Sequence, residues 1–346
     1  MTTAPSSFIL SLPKAELHLH LEGTVDPATL SELSRRHCTP LAADNNRYTN
    51  VEDSGRVLSE DDVRVLYSYT DFVGFLMAFK AVTERLRTAE DYELITYRMM
   101  QKLAAQGVVH AEVFVSVGVL FWRGHPIDPL FEGMEAGRLR GERDFGMTLY
   151  WIFDAVRNFG AEEALKVAKK AVEYRERNVI GFGIGGDERR GAPEEFRNAY
   201  RYAREHGLRT SCHAGETTGP ESISGALDAL HTERLGHALS LQQSPELLQR
   251  VVREQVPLEL CIASNQRTGC CPRIEDHPVR KYFDAGAMIT LNTDDPEMFQ
   301  TSLAHEYQLA QDVHGFSEGE LRQLAMNSIR ASWLPDERKS ELLKRY

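Results

Sequence analysis

The sequence is poor in cysteine for its length, with 5 in 346 residues. Cys38, Cys212, Cys261, Cys270 and Cys271 are scattered apart from one adjacent pair. An odd, irregularly spaced set in a chain this long is not the framework of a small secreted domain, so reduced thiols are expected. Excess positive charge is missing too: 40 Lys and Arg face 51 Asp and Glu, a formal net charge of −11. Such a chain repels nucleic acid and anionic membrane surfaces, which leaves small molecules as the expected partners. No run of 18 apolar residues occurs, so no membrane-spanning helix is expected. The opening segment MTTAPSSFILSLPKAE lacks a basic region before its short apolar patch. No signal peptide is expected there, and a cytoplasmic location follows as an expectation. Compositional bias is absent as well: 42% hydrophobic and 26% charged residues exclude disorder and low complexity.

What is present is a recurring unit. Short runs rich in β-branched residues alternate with stretches whose apolar positions recur at helical spacing. Strands are expected near 15–21, 108–115, 147–153, 179–184, 208–213, 234–237, 257–262 and 287–292. Several are bare hydrophobic runs, as in strands covered on the outside by helices. Segments 161–177, 194–206 and 245–254 read as helices, and Gly107, Gly207 and Gly286 stand where a helix ends before the next strand. Eight strand–helix units predict an α/β fold, a (β/α)8 TIM barrel, as one domain over 1–346. The longest insertion, 24–106, falls between the first two strands. Helices are expected there at 27–36, 60–86 and 89–106, with a polar loop at 41–53.

Active sites of this fold lie at the C-terminal ends of the strands. Strand one ends in His18-Leu19-His20. Alternation puts both imidazoles on one side, about 6–7 Å apart along the strand. Strand five ends in His213-Ala214-Gly215-Glu216, strand six in His237, and strand eight in Asp294-Asp295. Four strands thus deliver imidazoles and carboxylates to one rim. A nitrogen-rich set with one carboxylate suits zinc best, with iron, cobalt and manganese as alternatives.

The segments PKAELHLHLEGT (13–24), IGGDE (184–188), CHAGET (212–217), RLGHA (234–238), ASNQRTG (263–269) and LNTDDP (291–296) follow in order along nearly the whole barrel. Together they resemble the adenosine deaminase family of the amidohydrolase superfamily. The resemblance implies a hydrolase that deaminates a 6-aminopurine, with one Zn2+ per chain held by His18, His20, His213 and Asp294. It implies that Glu216 donates a proton to the purine ring and that His237 orients the attacking hydroxide. Asp295 is then expected at purine N7 and the Gly186 backbone at N3. Glu22 takes the place where nucleoside deaminases usually have an aspartate that touches the ribose.

These roles agree with the chemistry. A 6-aminopurine is a poor electrophile at C6, and zinc lowers the pKa of water to roughly 7. Protonating N1 during attack requires a carboxylic acid that keeps its proton near neutral pH. Burial and the like charges of Asp294 and Asp295 are expected to raise Glu216 accordingly. Adenosine is the default substrate. Aminodeoxyfutalosine is the close alternative, because GPES after CHAGETT resembles that branch, and free adenine follows. Glu22 in place of aspartate, and Glu259-Leu-Cys261 without a proline after the cysteine, both bear on the group at purine N9. A catalytically silent purine-binding barrel would require a lost ligand or acid, and every one is present.

Other motifs point elsewhere and are set aside. His110-Ala111-Glu112 spells the H-x-E of cytidine-deaminase-type zinc enzymes, but Cys270-Cys271-Pro272 has the wrong order and spacing for their second half. Glu112 is instead expected at the barrel mouth or satisfied in the core. The glycines of 181–186 match G-x-G-x-x-G by letter, yet they lie in an expected strand rather than opening a helix. IGGDE offers no lysine to bridge two metals, which favours one. Tyr69, Phe72, Phe75 and Phe79 recur at helical spacing, to pack the inserted helix on the barrel and to form an apolar lid, with Phe72 and Phe75 at the substrate.

Overall fold

The computed structural model describes residues 4–41 and 57–346. Eight parallel strands run around a barrel in chain order. They are β1 (Lys14–His20), β2 (Val108–Val115), β3 (Thr148–Val156), β4 (Val179–Gly185), β5 (Arg209–Ala214), β6 (Arg234–His237), β7 (Leu258–Leu260) and β8 (Ile289–Leu291). Every residue of β1, β6, β7 and β8 is buried, the polar ones included, as expected of strands covered by helices outside and by the barrel core within. The seam closes just beyond β8. The Asp294 N–H donates to the His18 carbonyl at 2.9 Å, and the His20 N–H donates to the Asp294 carbonyl at 2.8 Å. Side chains complete it: Asn292 Oδ1 accepts from the Leu17 N–H and Glu16 Oε1 from the Thr293 N–H, both at 3.0 Å. This closure sets Asp294 beside the two histidines of β1.

The helices follow their sequence signals. Pro27–Arg36 starts at Asp26, whose side chain accepts from the Thr29 N–H, and Ala89–Ala104 starts with a capping box of Thr88 and Asp91. Gly107, Gly207 and Gly286 all have positive φ at helix exits. All five cysteines are free. Among the described residues, no helix is long and apolar enough to cross a membrane.

Several boundaries differ from expectation. The helix expected over 60–86 is two, Glu60–Leu66 and Phe72–Thr83. The break occurs because Asp71 caps the second helix through the Gly74 N–H, while the Tyr67 carbonyl accepts from Arg267 and Gln300 instead of continuing a helix. The strand expected over 257–262 stops at Leu260, and Ile262–Arg267 is helical. There the buried Glu306 carboxylate takes the Ile262 and Ala263 N–H groups at 2.9 and 3.3 Å. The segment expected over 161–177 is helical to Glu173 and ends in a short 3-10 turn, Arg175–Arg177. The loop expected at 41–53 lies, apart from Leu41, outside the described residues.

Candidate active site

Imidazoles from β1, β5 and β6 converge at the C-terminal end of the barrel. Ring centroids of His18 lie 5.6 Å from His20, 4.6 Å from His213 and 5.0 Å from His237. His18 Nε2 and His20 Nε2 stand 3.6 and 3.3 Å from Asp294 Oδ1. Ligand atoms on one zinc ion at about 2.0–2.2 Å are separated by roughly these distances. Two overlapping groups of donor atoms gather closely enough to hold an ion: His18 with His20 and Asp294, and His18 with His213 and His237. The implied quartet of His18, His20, His213 and Asp294 spans both groups. His20 and His213 face each other at 5.5 Å between centroids.

The donor set fits a cation. His18 Nε2, His213 Nε2 and His237 Nε2 are buried without a hydrogen-bond partner, a costly arrangement unless a ligand takes them. Burial lowers His20 and His237 to about 4, and burial with the neighbouring imidazoles keeps His213 well below the usual range, so these nitrogens carry free lone pairs at neutral pH. Burial also pulls His18 down, but the nearby Asp294 carboxylate and the hydrogen-bonded Glu259 outweigh it and lift His18 to about 10. Those two carboxylates favour positive charge at His18 Nε2, whether as a proton or as a metal ion.

Backbone strain occurs at the cluster itself. His237 (φ 62°), Ala238 (φ 50°) and Asp294 (φ 62°) adopt the left-handed region, which costs a non-glycine residue on the order of 1–3 kcal/mol where held. Gly236 leaves the space that His18 occupies: a Cβ there would sit 2.7 Å from His18 Cε1. Gly186, at φ 90°, could carry no side chain without meeting Asn158 Oδ1 at 2.8 Å.

Above the cluster lies a cavity of about 260 Å3. Its floor holds His20, His213, Glu216, His237, Asp294 and Asp295, and Gly186 lines one side. Phe72, Phe75, Leu76, Phe79, Val119 and Phe159 form the apolar wall. Phe75 also stacks on Phe299 at 4.9 Å, so the inserted helix both packs on the barrel and walls the cavity. Tyr69 does not line the cavity and is purely structural in its contacts, its hydroxyl donating to the Met298 carbonyl at 2.7 Å. Glu22 is buried and lies off the lining; its Oε1 accepts from the Ser116 N–H at 3.1 Å, and burial raises it to about 7. Burial, followed by the charges of Asp294 and Glu188, raises Glu216 to about 8. Burial and the adjacent Asp294 hold Asp295 well above the carboxylate range.

A family model described as adenosine deaminase matches residues 13–346. The chain belongs to the adenosine deaminase family. It is therefore a hydrolase acting on carbon–nitrogen bonds, in the amidohydrolase superfamily. It is 36% identical over 330 residues to an aminodeoxyfutalosine deaminase of Streptomyces avermitilis, covering 95% of this chain and 88% of that protein. It is similar to the crystal structure of an adenine deaminase from Arthrobacter aurescens, with a TM-score of 0.87, 31% identity and coverage of 99% and 98% of the two chains. An amidohydrolase from Burkholderia ambifaria with bound zinc matches with a TM-score of 0.83 and 27% identity over 98% of this chain and 90% of that one.

Sequence reasoning assigned no site role to three residues that brace this cluster, Glu259, Ser264 and Asn265, or to a fourth, Asp154, that lines the cavity. Glu259 Oε2 stands 2.8 Å from His18 Nδ1 and fixes which ring nitrogen faces the cavity. Ser264 Oγ donates to Asp294 Oδ2 at 2.7 Å. Asn265 Nδ2 lies 3.1 Å from His237 Nδ1 and 3.4 Å from Glu216 Oε1, joining those two residues. Asp154 lines the cavity with Oδ1 buried and unpartnered. Glu259, Ser264 and Asn265 occur in or beside segments that carry the resemblance, but only folded contacts reveal their partners.

Proposed function

We propose that the protein is a zinc-dependent aminohydrolase that replaces the 6-amino group of a neutral purine nucleoside with a 6-oxo group and releases ammonia. The observation that carries this reading is Glu216: a carboxylic acid raised to about 8 faces the same cavity as Asp294 and the unpartnered nitrogens of His213 and His237. His18, His20, His213 and Asp294 would hold the zinc ion. When bound there, zinc supplies an activated water as nucleophile at neutral pH. Glu216 gives its proton to N1, so the ring accepts the charge that attack at C6 delivers. His237, tied to Asn265, orients the attacking water. Asp295 keeps its proton and donates to N7, while the Gly186 N–H meets N3.

The substrate class follows from the lining. Among the described residues, no Lys or Arg lines the cavity, whereas Asp154, Asp187, Asp294 and Asp295 do. Arg190 is turned to Asp187 at 3.7 Å and does not line it either. A phosphorylated substrate would enter unpaired negative charge against carboxylates. The phenylalanine wall instead accommodates an uncharged nucleoside, with adenosine or its aromatically extended analogue aminodeoxyfutalosine as candidates. A second reading, free adenine, is supported by the position of Glu22, whose carboxylate lies off the lining and leaves the ribose without that contact. Comparing kcat/KM for adenosine, aminodeoxyfutalosine, adenine and AMP by ultraviolet absorbance tests the proposal. A nucleoside is expected to be the fastest and AMP the slowest. Turnover of AMP above all three others contradicts the assignment, and adenine above both nucleosides selects the second reading.

A further inference from the structure

Glu188 lies outside the cavity lining, yet its carboxylate is the most heavily bonded acceptor around the loop that carries Glu216. It is 5% exposed and sits in the 3-10 turn Glu188–Arg190 after β4. Oε1 accepts from the backbone N–H of Glu216 at 2.7 Å and of Thr217 at 3.1 Å. Oε2 accepts from the Gly215 N–H at 2.8 Å and from the hydroxyls of Thr218 and Ser222 at 2.6 Å each. Five donors on two oxygens leave the carboxylate little freedom, and these bonds satisfy N–H groups of the β5 exit that no sheet or helix ladder takes. A second tie runs alongside. The Arg157 guanidinium, 1% exposed, donates to the Gly191 carbonyl at 2.7 Å and to the His213 carbonyl at 2.6 Å. The β4 loop is thus fastened to the β5 exit at both of its ends.

We infer that Glu188 is a positioning residue: its carboxylate clamps the loop 215–222 and so aims the Glu216 side chain into the cavity, in fixed relation to Gly186 on the same β4 loop. The two loops touch opposite features of one planar ring in the proposed reaction, so locking them together sets the distance between acid and substrate. A displacement of about 1 Å at a reacting group costs on the order of 100-fold in rate. The clamp is a permanent anion, because hydrogen bonds from Ser222 and Thr218 and the charge of Arg157 overcome the burial that opposes ionisation. Its reach is local: it touches neither the imidazoles nor Asp294.

This inference rests on the proton-donor role proposed for Glu216, and the experiment keeps the two apart. Turnover by the zinc-loaded wild type, and its loss in Glu216→Gln, test the donor role. Glu188→Gln tests the clamp, because it keeps the shape but removes the charge and sets an amide against an N–H. The expected result is a fall in kcat of about 10- to 100-fold, KM within about threefold, and unchanged zinc content. In the Glu216→Gln background the same substitution is expected to change the residual rate less than about twofold, since its target is gone. Unchanged kcat, loss of zinc, or an equal fold-loss in both backgrounds overturns the inference, because a merely structural residue behaves in one of those ways. If Glu188→Gln does not fold, Thr218→Val decides: it removes one donor and leaves the charge in place. A loss of about threefold or more in kcat at constant KM supports the clamp, and an unchanged kcat contradicts it.

Discussion

Glu112 and Glu216 are both carboxylates shut inside the same barrel, and they are held in opposite states. Burial alone would raise each of them. At Glu112, in the barrel interior, the buried Arg234 guanidinium and His110 overcome burial and hold the acid at about 2. Arg234 also reaches Glu259 Oε1 at 2.6 Å and lies 3.5 Å over the Trp333 ring, so one cation serves two carboxylates in a closed layer. Glu216, at the rim, has Asp294 and Glu188 as its charged neighbours and is raised to about 8. The difference teaches that burial pushes both acids up and that a neighbouring cation decides whether it prevails. The barrel places its buried arginine in the interior, where burial is overcome, and leaves the rim acid with like charges, where burial wins.

The largest way to break this contrast is at the rim. Glu216→Gln is expected to cut kcat by about 10²–10⁴-fold, the range for a general acid, with zinc content and melting temperature unchanged; a rate near wild type removes the acid from its role. In the interior the effect falls on stability instead. Arg234→Met strands two buried carboxylates and is expected to cost about 3–5 kcal/mol in urea denaturation; a loss below about 1 kcal/mol would show that the interior layer does not depend on its cation. A pH profile sharpens the contrast further. The donor form of Glu216 exists below its raised pKa, so log kcat/KM is expected to fall as pH rises through about 8, by about one unit per pH unit. Glu112, depressed rather than raised, contributes stability that is present above its unfolded value of 4.5 and lost as pH falls toward about 2. The smallest effect is on the wall. Phe72→Ala is expected to raise KM about 3- to 10-fold with kcat nearly constant, through lost apolar contact.

Much of this was readable before any coordinates. Eight strand–helix units, several with bare apolar strands, point to the barrel, and the rule that chemistry gathers at strand ends singles out His18, His20, His213, His237 and Asp294. Burial and like charge, expected for Glu216 from its neighbours, are the forces that raise it, although Glu188 rather than Asp295 is the second charge. What periodicity misses is partnership across the chain. Glu259 braces His18 from 241 residues away and Glu188 grips the Glu216 loop from 28 residues away. The break between Glu60–Leu66 and Phe72–Thr83 was equally hidden, because apolar spacing continues through it and only Arg267 and Gln300, far along the chain, claim the Tyr67 carbonyl. The sequence leaves Glu112 at the rim or in the core, and the buried Arg234 beside it places it in the core.

The most direct test of the account is zinc content measured against turnover of the best 6-aminopurine substrate, on protein stripped by a chelator and titrated back with Zn2+. The rate should rise in proportion to bound zinc, level off at one ion per chain, and fail to return in His18→Ala or His213→Ala. Full turnover by the stripped protein, or restoration in those variants, contradicts it.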